Sequence, residues 1–316
     1  MISFIVIGKN ESWRLEKCLT AIRRMASSEL KQPYEIIYVD SQSTDGSLEL
    51  AKRYVDKVFL ITGECNPAIG RNIGAKESVG DTLFFLDGDM ELREGVLSGI
   101  LKEDSLKYPI IEGVDNNVLF DNEWKKIEEK PRSLYKEGTE WNENSPSGGM
   151  FVIEKKVWEE VGGMDNRYVR CEDFEFGFRA CETGYKTRRI GQLWVNHYTR
   201  YYALRSDSLT VYKYQAMLIR HFFLKKSAFM TLLWRNYSFY MLAISLLFFL
   251  LTTNLWVFVP YVLSIVYRTV KIMQRGPSGL NWGVTACKRF ATDIYLIYYF
   301  CTFYPKQPHV SYCRVK

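Results

Sequence analysis

No two of the seven cysteines (Cys18, Cys65, Cys171, Cys181, Cys287, Cys301 and Cys313) form a Cys-x-x-Cys pair, and they are scattered and odd in number. That pattern supports neither a zinc site nor a disulfide framework; reduced thiols in a cytosolic compartment fit better. The amino terminus has no basic leader. Residues 1–8 are a short apolar run ending in Lys9-Asn10-Glu11, which reads as a buried first strand rather than a signal peptide. Net charge is also scarce, and +6 over 316 residues demands no nucleic-acid partner. There is no internal repeat. Charge is missing altogether from residues 237–267, whereas the first two-thirds mix charged and apolar residues as an α/β protein does.

Ser3-Phe4-Ile5-Val6-Ile7, Glu35-Ile36-Ile37-Tyr38-Val39, Val58-Phe59-Leu60-Ile61 and Thr82-Leu83-Phe84-Phe85-Leu86 are apolar runs of strand length. Such runs suit strands covered on both faces. Between them apolar residues recur at helical spacing (Leu15, Cys18, Leu19, Ile22), and Pro67 suits the first turn of a helix reaching Gly80. Alternation of this kind predicts βαβ units and a mostly parallel, Rossmann-like sheet. Residues 115–145, polar and rich in Asn, Glu and Lys, read as a long connection or lid. Further helices are predicted over residues 155–161 and from Glu172 to about Gly184, and a strand just before His197.

Ligands of open α/β sheets sit beyond the carboxyl ends of the strands. Those ends carry Lys9-Asn10-Glu11, Asp40-Ser41 and Asp87-Gly88-Asp89. Residues i and i+2 leaving a strand point the same way, so Asp87 and Asp89 face one spot, with Gly88 leaving room for a ligand. Two hard oxygen donors beside phosphate suit Mg²⁺ or Mn²⁺ rather than zinc. Glu172-Asp173 opens a helix; besides a capping role, a carboxylate there suits a general base for a hydroxyl proton. Arg179, farther along that helix, either steadies the acidic cluster or reaches a phosphate.

Seven segments occur in order: Asn10-Glu11; Val39-Asp40-Ser41-Gln42-Ser43-Thr44-Asp45-Gly46; Gly70-Arg71-Asn72-Ile73-Gly74-Ala75; Gly80-Asp81 through Leu86-Asp87-Gly88-Asp89; Gly148-Gly149; Gly162-Gly163-Met164-Asp165; and Glu172-Asp173. Over residues 2–197 this set resembles the family 2 inverting glycosyltransferases of GT-A fold, in the bacterial type with C-terminal membrane-associated helices. The resemblance implies a nucleotide-sugar donor, with Asn10, Glu11, Asp40, Arg71 and Asp87 on the donor side and Asp40 bordering base and ribose. It implies that Asp87 and Asp89 hold metal and diphosphate, that Asp173 is the catalytic base, and that Gly148, Gly149 and Glu172 lie on the acceptor side. Some relatives place a metal-binding histidine where His197 stands. Family members often carry two acidic residues where this chain has Asp40 followed by Ser41, which bears on which base is recognised.

A GT-A catalytic domain is therefore expected over residues 1–215 and a helical membrane-association region over 216–316. The latter would hold a hairpin at about 228–273, its halves near the roughly twenty residues a span needs, and an interfacial helix at about 290–304, which contains Asp293. Arg220, Lys225, Lys226, Arg235, Arg268, Lys271 and Arg275 flank the uncharged stretch and suit anionic lipids at the cytoplasmic face of the inner membrane. The expected partners are the donor, a glycan or lipid-linked acceptor and membrane lipids. The rival readings are transfer to a polyprenyl phosphate, and a non-catalytic nucleotide-sugar-binding scaffold.

Overall fold

The structure is a computed structural model and describes residues 1–133, 135–146, 149–201, 210–275 and 281–316. It divides into two compact units, Met1–Arg205 with Lys306–Lys316, and Ser206–Pro305.

The first unit begins β1 (Ile2–Gly8), α1 (Ser12–Glu29), β2 (Tyr34–Asp40), α2 (Ser47–Tyr54), β3 (Lys57–Ile61), α3 (Pro67–Glu77) and β4 (Thr82–Asp87). These four strands pair in parallel in the spatial order β3-β2-β1-β4. Strand order therefore reverses beside β1, where Gly8 and Asp87 end adjacent strands, and a crevice opens at such a switch point. Continuous apolar runs are accounted for by burial on both faces. Phe4 and Val6 pack with Leu15, Leu19 and Ile22 of α1, while Ile5 and Ile7 pack with Ile69 and Ile73 of α3.

Helix α3 starts sharply because Asn66 accepts the Ile69 N–H and Pro67 follows it. It also lies unusually close to β1. A Cβ on Gly74 would fall 2.2 Å from Ile5 Cγ2, and one on Gly70 3.1 Å from Ile7 Cγ2. Those two glycines bring Arg71 up against the end of β4.

Beyond β4 come β5 (Met90–Leu92), α4 (Val96–Ile100), the short hairpin β6 (Leu101–Lys102) and β7 (Ser105–Leu106), β8 (Ile110–Phe120), β9 (Lys126–Pro131) and β10 (Glu140–Glu143). There follow β11 (Met150–Glu154), α5 (Lys155–Val161), α6 (Glu172–Glu182) and β12 (Thr187–Arg200). β11 joins the sheet antiparallel to β4, and β12 runs parallel to β8. The result is a GT-A-like mixed α/β sheet whose amino-terminal half is parallel.

One expectation is corrected here. Residues 115–145 are not simply a connection, since 115–120 complete β8 and β9 and β10 follow. Asp115, Asn116 and Asn117 hid the strand because they are buried polar residues with partners. Asn116 donates to Glu129 Oε1 (2.7 Å) and Asn196 Oδ1 (3.2 Å). Hydrogen bonding offsets the cost of burying such groups.

The second unit holds α7 (Thr210–Phe222), α8 (Phe229–Arg235), α9 (Tyr237–Thr252), α10 (Val259–Arg275) and α11 (Trp282–Thr302). Leu255–Gln274, with a mean hydropathy of 1.4, is the single helical stretch among the described residues long and apolar enough to cross a membrane. α8 and α9 form an apolar pair bent by 85°. The helix expected at about 290–304 starts earlier, at Trp282. The helical region also stops short of residue 316. Tyr312–Arg314 forms β13, antiparallel to β3, and Lys316 Nζ donates to the Lys52 and Val55 carbonyls at the end of α2.

Candidate active site

A cleft of about 320 Å³ opens at the switch point, lined by Ile7, Gly8, Lys9, Glu11, Ser41, Cys65, Asn66, Pro67, Asp87, Gly88, Asp89, Val169 and Arg170. Arg71, which contacts the cleft residue Asp87, is almost wholly enclosed (1% exposed). Its guanidinium donates to Asp87 Oδ1 at 2.7 Å and to Glu172 Oε1 at 3.1 Å. A single side chain thus joins the end of β4 to the start of α6, 85 residues later in the chain. Asp173 follows Glu172 and acts electrostatically on both Arg71 and Glu172. Its Oδ1 accepts the Phe174 N–H at 2.8 Å. With both arms on carboxylates, Arg71 braces the two elements that carry Asp87 and Asp173.

The second cluster surrounds Asp89. Its Oδ2 lies 3.4 Å from His197 Nε2 and 3.8 Å from an Arg14 terminal nitrogen. His197 Nδ1 is 3.0 Å from Asn117 Oδ1. An amide oxygen only accepts, so Nδ1 carries hydrogen and Nε2 turns toward Asp89. Two acceptors facing each other at that distance are balanced by a proton on Nε2 or by a cation. Asp89 Oδ1 is buried without a hydrogen-bond partner. Among the described residues no three His, Cys, Asp or Glu side chains form a cation cage of their own. A small hard divalent ion is often held by one or two carboxylates together with substrate phosphates, so the donor set present here fits one.

The site's acids are strongly displaced from their ordinary pKa values. Burial pushes the Glu11 carboxyl up to about 8, reinforced by Asp89 and Asp87 over the opposing pull of Arg14. Burial, Asp173 and Asp87 push Glu172 up to about 7 against the pull of Arg71. Asp87 is raised by burial, with Arg71 opposing and Asp89 adding to it. Asp89 goes the other way: burial works against its charge, but His197 and Arg14 hold it below the usual carboxylate range.

Glu172 makes a testable contribution to stability. A carboxyl whose folded pKa lies near 7 keeps its proton after the unfolded chain, near 4.5, has lost it. The stabilisation is therefore full at low pH and fades as pH rises from about 4.5 to about 7, on the order of 3 kcal/mol for one group. Denaturant midpoints of metal-free protein should fall across that window, and Glu172→Gln should flatten the fall. An equally steep decline in the variant would contradict the assignment.

The remaining expected residues divide into those at the cleft and those that hold its walls. Asp40 is fully buried; its oxygens accept from Tyr38 Oη (3.2 Å) and the Ser43 N–H (2.7 Å). Asn10 donates its N–H to Ser43 Oγ (2.9 Å), and its Oδ1 accepts the Thr44 N–H (2.8 Å). Both shape the loop that presents Ser41, whereas Glu11 lines the cleft itself. Gly149, with φ of 103°, abuts Asp87: a Cβ there would lie 2.7 Å from Asp87 Oδ2. Gly148 lies outside the described residues. The tight neighbours of Gly88 are Leu15 and the Ile7 carbonyl, so close protein packing, besides ligand room, explains that glycine. Arg179 binds Glu175 and the Val161 and Gly163 carbonyls and steadies α6.

Lys9 and Arg170 had no expected role. Both line the cleft, and neither forms an ion pair among the described residues. Position next to Gly8 and next to Cys171-Glu172 was the available signal.

Residues 3–162, half of the chain, match the family model for glycosyl transferase family 2. The chain belongs to that family. Similar proteins include glycosyltransferase AglE of Haloferax volcanii, 27% identical over 195 residues that cover 58% of this chain and 62% of the relative. The 4,4'-diaponeurosporenoate glycosyltransferase of Staphylococcus haemolyticus is 33% identical over 108 residues, 32% of this chain and 28% of that one. A probable N-acetylgalactosaminyltransferase 9 of Caenorhabditis elegans is 22% identical, covering 69% of this chain and 49% of its own length. The family 2 chain described here thus spans between about half and 62% of the length of these first two matched N-acetylgalactosaminyl- and AglE-type relatives. GalNAc-T7, solved with UDP, GalNAc and Mn²⁺, superposes with a TM-score of 0.53 at 17% identity, covering 72% of this chain and 48% of that one. That likeness concerns the fold.

Proposed function

We propose that this family 2 chain transfers a sugar, with inversion, from a nucleoside-diphosphate sugar to a hydroxyl of a membrane-linked glycan or lipid acceptor in surface polysaccharide assembly. The observation that carries the reading is the Arg71 bridge, which brings the strand end bearing Asp87 and Asp89 to the helix start bearing Asp173. Asp173 takes the acceptor hydroxyl proton as that oxygen attacks the anomeric carbon, and the bond from that carbon to the diphosphate oxygen breaks. Only one base is needed for a single displacement. Lys9 and Arg170 sit where they attract the diphosphate, while charge on Asp87 and Asp89 would repel it. Mn²⁺ or Mg²⁺ held by Asp89 and His197, with Asp87 alongside, would offset that repulsion and neutralise charge on the leaving group.

The membrane part of the reading rests on the second unit's surface. Leu250, Leu251, Leu255 and Trp256 keep 78, 73, 72 and 79% of their surface exposed. Apolar exposure on that scale marks an interaction surface, and flanking Lys and Arg residues suit the anionic lipids of a cytoplasmic leaflet. The test is turnover. Full chain incubated with a panel of nucleotide sugars, Mn²⁺ or Mg²⁺ and lipid extract in vesicles should release one nucleoside diphosphate above the rest, with chelation stopping release and protein sedimenting with the vesicles. Binding of a nucleotide sugar with no release under any condition would instead support a non-catalytic scaffold.

A further inference from the structure

Residues 306–316 belong to the first unit, although the second unit precedes them in the chain. β13 pairs with β3 in the antiparallel sense, Tyr312 opposite Ile61 and Arg314 opposite Phe59. The carboxyl end of β3 points to the cleft edge of the sheet, so an antiparallel partner enters from that edge. Residues 309–311 accordingly run beside residues 62–66, the loop that follows β3, and Cys65 and Asn66 of that loop line the cleft. The Ser311 carbonyl accepts the N–H groups of Thr62 (2.8 Å) and Gly63 (3.1 Å), and the His309 carbonyl accepts that of Glu64 (3.0 Å). Glu64 Oε1 accepts the His309 N–H in return (3.1 Å). Backbone donors have to find acceptors, and three consecutive ones in this loop find them on the tail. A Cβ on Gly63 would lie 2.5 Å from the His309 carbonyl oxygen, so only glycine permits the approach.

The same loop is tied on its other side to the loop after β2. Gln42 Nε2 donates to the Gly63 carbonyl (2.8 Å), and Cys65 Sγ lies 3.8 Å from the carbonyl of Ser41, itself a cleft residue. Farther along the tail, Tyr312 Oη donates to Glu77 Oε1 at the end of α3 (2.7 Å), and its ring packs edge-on against Phe59. A strand that only covered the open edge of β3 would need no bonds beyond Ile61. These bonds continue past Ile61, on the cleft side. We infer that residues 306–316 position the donor site: His309 and Ser311 hold residues 62–66, and through Gln42 the Ser41 loop, in the conformation that receives the nucleoside of the donor. A loop ordered before its ligand arrives spares binding the cost of ordering it, so the effect falls on donor affinity. The tail acts through the loop and touches no substrate. The inference rests on the nucleotide-donor part of the proposed function and adds to that site a segment remote in sequence.

The test is calorimetric titration of UDP, GDP, CDP and dTDP, each with Mn²⁺, into the full chain and two variants, with amide hydrogen exchange read in parallel. The nucleotide that the parent binds best should bind Tyr312→Ala about tenfold more weakly, because that change frees the tail without touching the loop. Tyr312→Phe keeps the ring against Phe59 and should bind as the parent does. In Tyr312→Ala the amides of Thr62, Gly63 and Glu64 should exchange faster while those of β1 stay protected, whereas a general loss of stability would quicken both. Parent-like affinity in Tyr312→Ala overturns the inference, and so does weaker binding with the amides of residues 62–64 still protected. A parent that binds none of the four nucleotides overturns the proposed donor itself, which separates that failure from this one.

Discussion

Asp173→Asn lowers turnover by about 10²–10⁴-fold, the usual contribution of a positioned general base, while leaving nucleotide affinity within a fewfold of the parent. Asparagine keeps the shape and still accepts the Phe174 N–H, so the start of α6 is preserved. What it cannot do is take a proton from a neutral hydroxyl. The expected signature is therefore a fall in kcat with little change in donor KM, measured by nucleoside-diphosphate release. Retained turnover would have a definite chemical meaning. An acceptor already anionic, such as a lipid phosphate oxygen, needs no base, and the proposed hydroxyl acceptor would then be wrong.

Arg71→Ala is expected to destabilise the first unit by about 3–5 kcal/mol, because it strands two carboxylates that one buried guanidinium now serves. For a unit of this size that corresponds to a fall in Tm on the order of 10 °C. The loss should shrink at pH 5, where Asp87 and Glu172, both already raised by burial, take up protons more readily. Arg71→Lys should recover only part of the stability, since one ammonium does not reproduce a fork between two elements. Activity should fall with either change, as the geometry linking Asp87 to Asp173 depends on the bridge. A melt within 2 °C of the parent at neutral pH would contradict the role given to Arg71.

The four parallel strands and their helices were legible because their residues obey simple periodicities, with uninterrupted apolar runs for strands buried on two faces. The acidic strand ends were legible for the same reason: once the strands are placed, Glu11, Asp87 and Asp89 can only lie at one edge. β8 was not legible. Glu112, Asp115, Asn116 and Asn117 are buried through specific partners that are distant in sequence, among them Glu129, Asn196 and His197. The role of Arg71 was likewise hidden, because a helical arginine looks alike whether it faces solvent or two carboxylates. Only the close approach of α3 at Gly70 and Gly74 decides between them. Nor could the sequence show that the last residues return to the sheet as β13, since Tyr312-Cys313-Arg314 is too short to carry a strand signal.

Asp89, His197 and the neighbouring acids would form, together with a divalent ion, the seat of a nucleotide's diphosphate. Calorimetric titration of nucleoside diphosphates into the full chain, with Mn²⁺ or with chelator, and repeated on Asp89→Asn, addresses this directly. One nucleoside diphosphate is expected to bind at least tenfold more tightly with Mn²⁺, and Asp89→Asn to abolish the difference. Equal binding with and without metal, indifferent to the substitution, would contradict it.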